Sequence, residues 1–194
     1  LMFRQESMYW LTGYDTFGYV FFQTLIIDRN GNIVLLTRAP DLRQAQNTSN
    51  IGDIRIWVDK DGSNPTDDLK LILNELNLKN KKMGIEYEAY GMTGRNALRL
   101  NKSLENYCDL EDHSELITKH RVIKSHEEIV YVKKAAELAD KALDEAWKYT
   151  KAGASEAKIL AEMQRVIFEG GGDYPANEFI IGSGHNALLC RYQA

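Results

Sequence analysis

The sequence predicts an α/β fold built in two parts. Three observations predict it. A hairpin signal stands near the start of the chain. Short apolar strand runs then alternate with amphipathic helix runs as far as Tyr107, and beyond Arg121 the pattern changes to two longer helices. Alternation of this kind argues for a largely parallel sheet carrying helices on its faces. The change of pattern argues for a boundary between Glu111 and Ser125. Apolar residues make up 44% and charged residues 27% of the 194 residues. That is ordinary globular composition, enough for one domain or one domain and part of another.

The first part reads as follows. Leu1-Met2-Phe3 is apolar and reads as the end of a buried strand, which suggests that chain precedes it. Val20 to Asp28 is a β-branched and aromatic run, and Ile33 to Thr37 is a second. Arg29-Asn30-Gly31-Asn32 between them contains Asn-Gly, a strong hairpin signal. Pro40 to Asn50 reads as a helix and Ile54 to Val58 as a strand. Pro65 to Leu76 is a helix, with Leu69, Ile72, Leu73 and Leu76 on one face at steps of three and four. Met83-Gly84-Ile85 is a short strand, Thr93 to Leu104 a helix, and the neighbourhood of Tyr107 another short strand. No internal repeat or low-complexity segment is visible.

In the second part, Ser125 followed by Glu128 forms a capping-box pattern. Ile129, Val132, Ala136, Ala139, Leu143 and Ala146 continue it at helical spacing, giving a long amphipathic helix from Ser125 to Lys151. Gly153 breaks it. Ser155 can cap a second helix carrying Ile159, Leu160, Met163, Val166 and Ile167, which Gly170-Gly171-Gly172 ends. Phe179-Ile180-Ile181 reads as a strand running into Gly182-Ser183-Gly184, and Leu188 to Tyr192 as strand again. Two helices and so little strand leave apolar faces uncovered, so more chain or a partner is expected to complete this part.

Composition excludes several classes. The net charge is −4, and no Lys/Arg cluster marks a nucleic-acid face; Lys79-Asn80-Lys81-Lys82 and Lys119-His120-Arg121 are short, solvated runs. No apolar stretch approaches the ~20 residues of a membrane span. No signal peptide is visible, so a cytoplasmic location is expected, although a chain opening at Leu1 could have lost a targeting segment. Cys108 and Cys190 form no CxxC pair and read as free thiols.

The chemistry-bearing residue types form no self-sufficient site. His113, His120, His126 and His185 include no i, i+4 pair and no HExxH. The 28 Asp and Glu residues mostly alternate with lysines and read as solvated surface. No GxSxG elbow is present. The five-residue offset of His185 and Cys190 carries almost no signal for a thiol nucleophile. Gly182-Ser183-Gly184-His185-Asn186-Ala187 fits GxGxxA, but strand rather than helix follows it, and no acidic ribose partner stands ~20 residues on.

Three segments in order resemble the Xaa-Pro peptidase and creatinase family. Arg4 to Asp15 (RQESMYWLTGYD) is similar to the family's amino-terminal signature, a polar turn before an aromatic pair and Thr-Gly. Arg121 to Leu143 (RVIKSHEEIVYVKKAAELADKAL) resembles its junction, where Arg-x-Ile-Lys-Ser/Thr-x-x-Glu opens the catalytic domain's first long helix. Phe179 to Tyr192 (FIIGSGHNALLCRY) resembles the strand after that domain's second helix. The resemblance implies a creatinase-type amino-terminal α/β domain over residues 1–119. It implies the truncated start of a "pita-bread" α+β domain over 121–194.

What the family implies is hydrolysis of C–N bonds assisted by two divalent ions (manganese, cobalt or zinc) held by two Asp, one His and two Glu. Those ligands lie beyond Tyr192, so no residue here is assigned to metal, and these residues alone are expected to be inactive. The implied substrates are small Xaa-Pro peptides, and the implied assembly is a homodimer. Proline-specific members carry a His-Tyr pair where this sequence has Arg191-Tyr192. Imidazole trades protons near neutral pH, whereas guanidinium stays charged and only donates. Arg191 therefore suits an anionic substrate group, with Tyr192 beside it and His185 as an alternative acid–base group. This departure brings in a second reading, a creatinase-like or ectoine-hydrolase-like enzyme acting on a small non-peptide amide. A salt bridge is the structural reading of Arg191. Tyr14 and Asp15, with Tyr9 and Trp10, belong to a segment that in family dimers approaches the partner's active site. The alternative for Tyr9 and Trp10 is an aromatic core. A third reading is a non-catalytic protein-binding module of the same fold, as in a histone-chaperone subunit.

Overall fold

A computed structural model describes residues 1–193. The chain divides into two compact units, Leu1–Ile123 and a second beginning at Lys124.

The first unit is built on β-strands that alternate their side chains between two helical layers. Strands β1 (Thr24–Ile27) and β2 (Ile33–Arg38) form the antiparallel hairpin, with Ile27 opposite Ile33. Asp28 makes the turn: its carboxylate accepts from the Asn30 and Asn32 amides, and Gly31 takes the left-handed φ of +84° that a residue with a Cβ resists. Strand β3 (Asp53–Trp57) adds parallel to β2. Strands β4 (Lys82–Ile85) and β5 (Asp109–Asp112) form a parallel pair.

Residues 1–3 join the two sets. Met2 exchanges two backbone hydrogen bonds of 2.9 Å with Leu25 of β1, while Leu1 bonds to Gly84 and Glu86 beside β4. The buried strand end expected there is thus a bridge, and it makes the spatial order β5-β4-(1–3)-β1-β2-β3.

Period-two alternation sends neighbouring side chains to opposite faces. Phe3, Ile26, Val34 and Leu36 enter one core, with Leu69, Ile72 and Leu73 of α3 (Pro65–Glu75) and Leu100 and Leu104 of α4 (Gly94–Leu104). Met2, Leu25 and Leu35 enter the other, with Met8 of α1 (Gln5–Thr12), Ala45 of α2 (Leu42–Thr48) and Ile117 of α5 (Leu116–Val122).

The second unit holds α6 (His126–Tyr149) and α7 (Glu156–Glu169). The Ser125–Glu128 capping box closes in both directions: the Glu128 amide donates to Ser125 Oγ at 3.2 Å, and the Ser125 amide to the Glu128 carboxylate at 2.6 Å. Ser155 caps α7 in the same manner by accepting from Lys158. No helix among the described residues is long and apolar enough to cross a membrane.

Several expectations need correction. Val20 ends a 3-10 turn over Phe17–Val20, capped by Thr16, so β1 begins only at Thr24. The strand expected around Tyr107 is β5, which begins two residues later at Asp109, and Tyr107 itself lies outside it. Tyr107 follows Asn106, whose φ is +55°, and tucks its ring into the core with its hydroxyl on Asn74. Helices α1 and α5 arise where no helix was expected. The strands expected at Phe179–Ile181 and Leu188–Tyr192 do not form. Among the described residues the second unit holds no neighbouring strand to take their backbone hydrogen bonds, and Gly184–Leu188 is a 3-10 turn instead.

Candidate functional site

The expected site residues fall in two places, one in each unit. In the first unit they follow α1. Gly13 ends that helix at φ +78°, its amide returning to the Tyr9 carbonyl at 2.8 Å. A Cβ at Gly13 would stand 2.9 Å from the Thr48 carbonyl, so the turn packs against the end of α2 at backbone distance. The Asn50 amide donates to the Thr12 carbonyl and the Asp15 amide to Thr48 Oγ1, tying the turn there.

Tyr14 points inward and is fully buried. Its hydroxyl lies 3.1 Å from both Gln23 Oε1 and Thr37 Oγ1, and burial pushes its pKa up. This side chain braces the turn against β2 and presents nothing to solvent. Asp15, the next residue, is exposed. Tyr9 and Trp10 are 58% and 40% exposed, which overturns the aromatic-core alternative for that pair. Successive residues on a helix face different directions, and the inward positions of α1 are held by Ser7, Met8 and Thr12.

What holds α1 in place is a residue that the sequence did not single out. Glu86 is 2% exposed. One carboxylate oxygen accepts from the Phe3 and Arg4 amides at 2.9 Å each, and the other from the Ser7 hydroxyl at 2.5 Å. A carboxylate here satisfies donors at the start of α1 and sits at the positive end of its dipole. Arg4 continues the network, donating to the Glu88 carbonyl, the Glu88 carboxylate and Thr118 Oγ1. Ser114 accepts from the Tyr87 amide and donates to Asp112, holding the Asp112 carboxyl below the ordinary carboxylate range. Carboxylates mostly alternate with lysines along this sequence, and nothing in the Met83–Glu86 run marks this one as interior.

In the second unit, the Gly182–Tyr192 segment carries the other candidates. Gly182 admits no side chain without a shift, because a Cβ would lie 2.5 Å from the Asn186 carbonyl. Gly184 takes a φ of +54°. The Ser183 amide and hydroxyl both donate to one oxygen of Glu156, at the start of α7, which anchors the turn to that helix. His185 and Arg191 are exposed and Tyr192 is half-buried. Arg191 forms no ion pair among the described residues. Among the described residues no three His, Cys, Asp or Glu side chains converge to hold a metal ion.

With the two-faced sheet and the anchored glycine turn described, the affiliation follows. Residues 1–123 match the Creatinase/Prolidase N-terminal domain, and residues 130–194 match Metallopeptidase family M24. The chain belongs to the Xaa-Pro peptidase and creatinase family and represents its amino-terminal part. Among curated relatives, the Xaa-Pro dipeptidase of Pyrococcus furiosus is 33% identical over 88 residues, covering 45% of this chain and 25% of that protein. The ectoine hydrolase of Halomonas elongata is 26% identical over an alignment of 198 positions, covering 94% of this chain and 49% of that protein. Among solved structures, the prolidase from Pyrococcus horikoshii superposes with a TM-score of 0.70 at 22% identity, covering 97% of this chain and 49% of that one. The chain spans half or less of the length of these relatives.

Proposed function

We propose that the protein carrying this chain hydrolyses C–N bonds in small substrates, most simply as an Xaa-Pro dipeptidase or aminopeptidase. The observation that carries this reading is the joint match, in family order, of a creatinase/prolidase amino-terminal domain and the opening of an M24 domain. In this reading residues 1–119 are the amino-terminal module and the catalytic domain opens at about Arg121. The complete protein holds two divalent ions of the manganese, cobalt or zinc type, works as a cytoplasmic homodimer, and reaches substrate through Arg191, Tyr192 and His185. Asp15 lies on the turn that Tyr14 braces, exposed and free to approach a second subunit.

A second reading has its own support. The family resemblance sets Arg191 where proline-specific members carry histidine, and the ectoine hydrolase of Halomonas elongata aligns over 94% of this chain. A fixed guanidinium pairs well with an anionic group, so the substrate in this reading is a small amide bearing a carboxylate.

The test is a substrate panel. Full-length protein, loaded in turn with manganese, cobalt and zinc, is assayed against Xaa-Pro dipeptides and against ectoine-like and creatine-like amides. Metal-dependent turnover of dipeptides supports the first reading, and turnover of small amides alone supports the second. Stoichiometric metal loading with no turnover on either set contradicts both and favours the non-catalytic binding module.

A further inference from the structure

Helix α4 of the first unit presents a row of cations that no ion pair balances among the described residues. Arg95, Arg99 and Lys102 stand at steps of four and three along it. At 3.6 residues per turn they share an arc of about 60° and span about 10 Å of helix. The opposite face carries Ala97, Leu100 and Leu104 into the core. At the flank, Ser103 Oγ donates to the Thr66 carbonyl and Lys70 Nζ donates to the Ser103 carbonyl, so the row stands on a fixed helix. Arg4, Arg38, Arg55 and Arg165 each meet a carboxylate. Arg95, Arg99 and Lys102 form no ion pair among the described residues. Leu98, beside the row, is 73% exposed.

The row works against its own helix. The first turn of α4 has no acidic residue, and Arg95 sits there, at the positive end of the helix dipole. Arg95 and Arg99 repel each other at i, i+4. Support of the helix does not account for side chains that cost it stability and gain no ion pair. We infer that this face docks an acidic helical segment of a partner protein, with carboxylates at the same steps of three and four. Each guanidinium offers a planar fork that binds a carboxylate through two hydrogen bonds. Carboxylates so spaced on a second helix share the rise of the row, and an apolar residue among them covers Leu98. Other anionic partners fit less well. Anionic membranes call for clusters of about four to eight Lys and Arg, and here Glu105 follows directly on the row. Nucleic acid draws on about six to ten phosphate contacts, against a net charge of −4 for this chain.

This inference goes beyond the hydrolase reading and does not rest on it. The probe is a fluorescein-labelled helical peptide with glutamates at steps of four and three and one leucine among them. Its control carries glutamine at the same positions. Binding to the full-length protein is read by fluorescence anisotropy at low and at physiological salt. Saturable binding of the glutamate peptide alone, weakened by salt, is expected. Arg95→Glu should raise the peptide Kd about tenfold or more. The same change should leave Tm unchanged or raised, because it puts an acid at the helix start and a Glu–Arg pair at i, i+4. Lys102→Gln, at the other end of the row, should raise Kd about two- to fivefold and gives an independent reading if Arg95→Glu fails to fold. Binding of neither peptide, equal binding of both, or a Kd that the variants leave unchanged overturns the proposal. A lowered Tm for Arg95→Glu counts against it too, by giving Arg95 a structural role. Phosphatidylserine vesicles and single-stranded DNA are run alongside. Tighter, Arg95-dependent binding of either assigns the face to a membrane or a nucleic acid and overturns it as well.

Discussion

The two units treat their apolar residues differently. In the first, both faces of the sheet are covered, and Leu25, Leu35, Leu36, Leu69, Leu73 and Leu100 are fully buried. In the second, α6 and α7 pack on each other, yet among the described residues only Ala142 and Ile159 are buried apolar side chains, while Leu143 and Trp147 remain exposed. Both units show clean amphipathic periodicity. The difference teaches that periodicity marks which face is apolar and says nothing about what covers it.

The sharpest way to break the comparison is a pair of matched truncations. Leu73→Ala should destabilise the first unit by about 2–5 kcal/mol, the usual range for a buried leucine. Leu143→Ala should change stability by less than about 0.5 kcal/mol, as exposed substitutions do. Urea unfolding of the two variants checks both. Equal losses would show that the exposed stripe of α6 is covered in solution.

The next effect concerns Glu86. Glu86→Ala leaves the Phe3 and Arg4 amides and the Ser7 hydroxyl without their buried acceptor, at a cost of about 2–3 kcal/mol. Hydrogen exchange should show α1 opening before the rest of its unit, and uniform loss of protection would contradict the local role.

A smaller effect attaches to Tyr14. Tyr14→Phe should cost about 1 kcal/mol at neutral pH through its lost hydrogen bonds. The folded-state pKa lies above the unfolded value of 10.0 because burial disfavours the phenolate. The neutral phenol's contribution is therefore complete below pH 10 and is lost as the pH rises from there through the folded value. Alkaline melting curves should lose that step in the phenylalanine variant. Ser125→Ala is of similar or smaller size, about 1 kcal/mol for a lost cap, read as fraying at the start of α6 by circular dichroism.

The sequence showed much of this fold because its signals are local. Asn30-Gly31, the Ser125–Glu128 box and the spacing of Leu69, Ile72 and Leu73 each act within a few residues of chain. Helix α1 was not legible because its start is fixed by Glu86, about 80 residues away. The strands read at Phe179–Ile181 and Leu188–Tyr192 failed for the converse reason: β propensity is expressed only against a neighbouring strand. At the candidate sites, residue type marked Arg191 and the glycine turn. Whether a side chain points inward, as Tyr14 does, or outward, as Tyr9 does, depends on packing that pattern alone does not carry.

In the proposed reading Arg191 takes the place of the family's substrate-side histidine; it is exposed, with no ion pair among the described residues. In the full-length protein, Arg191→Ala should lower kcat/KM for the turned-over substrate by roughly ten- to a hundredfold. That is the loss of a charge-assisted contact of about 1.5–3 kcal/mol. Arg191→His should shift preference toward Xaa-Pro dipeptides, with both variants melting at the parent temperature. Unchanged kinetics together with a lowered melting temperature would contradict the account and make Arg191 a structural residue.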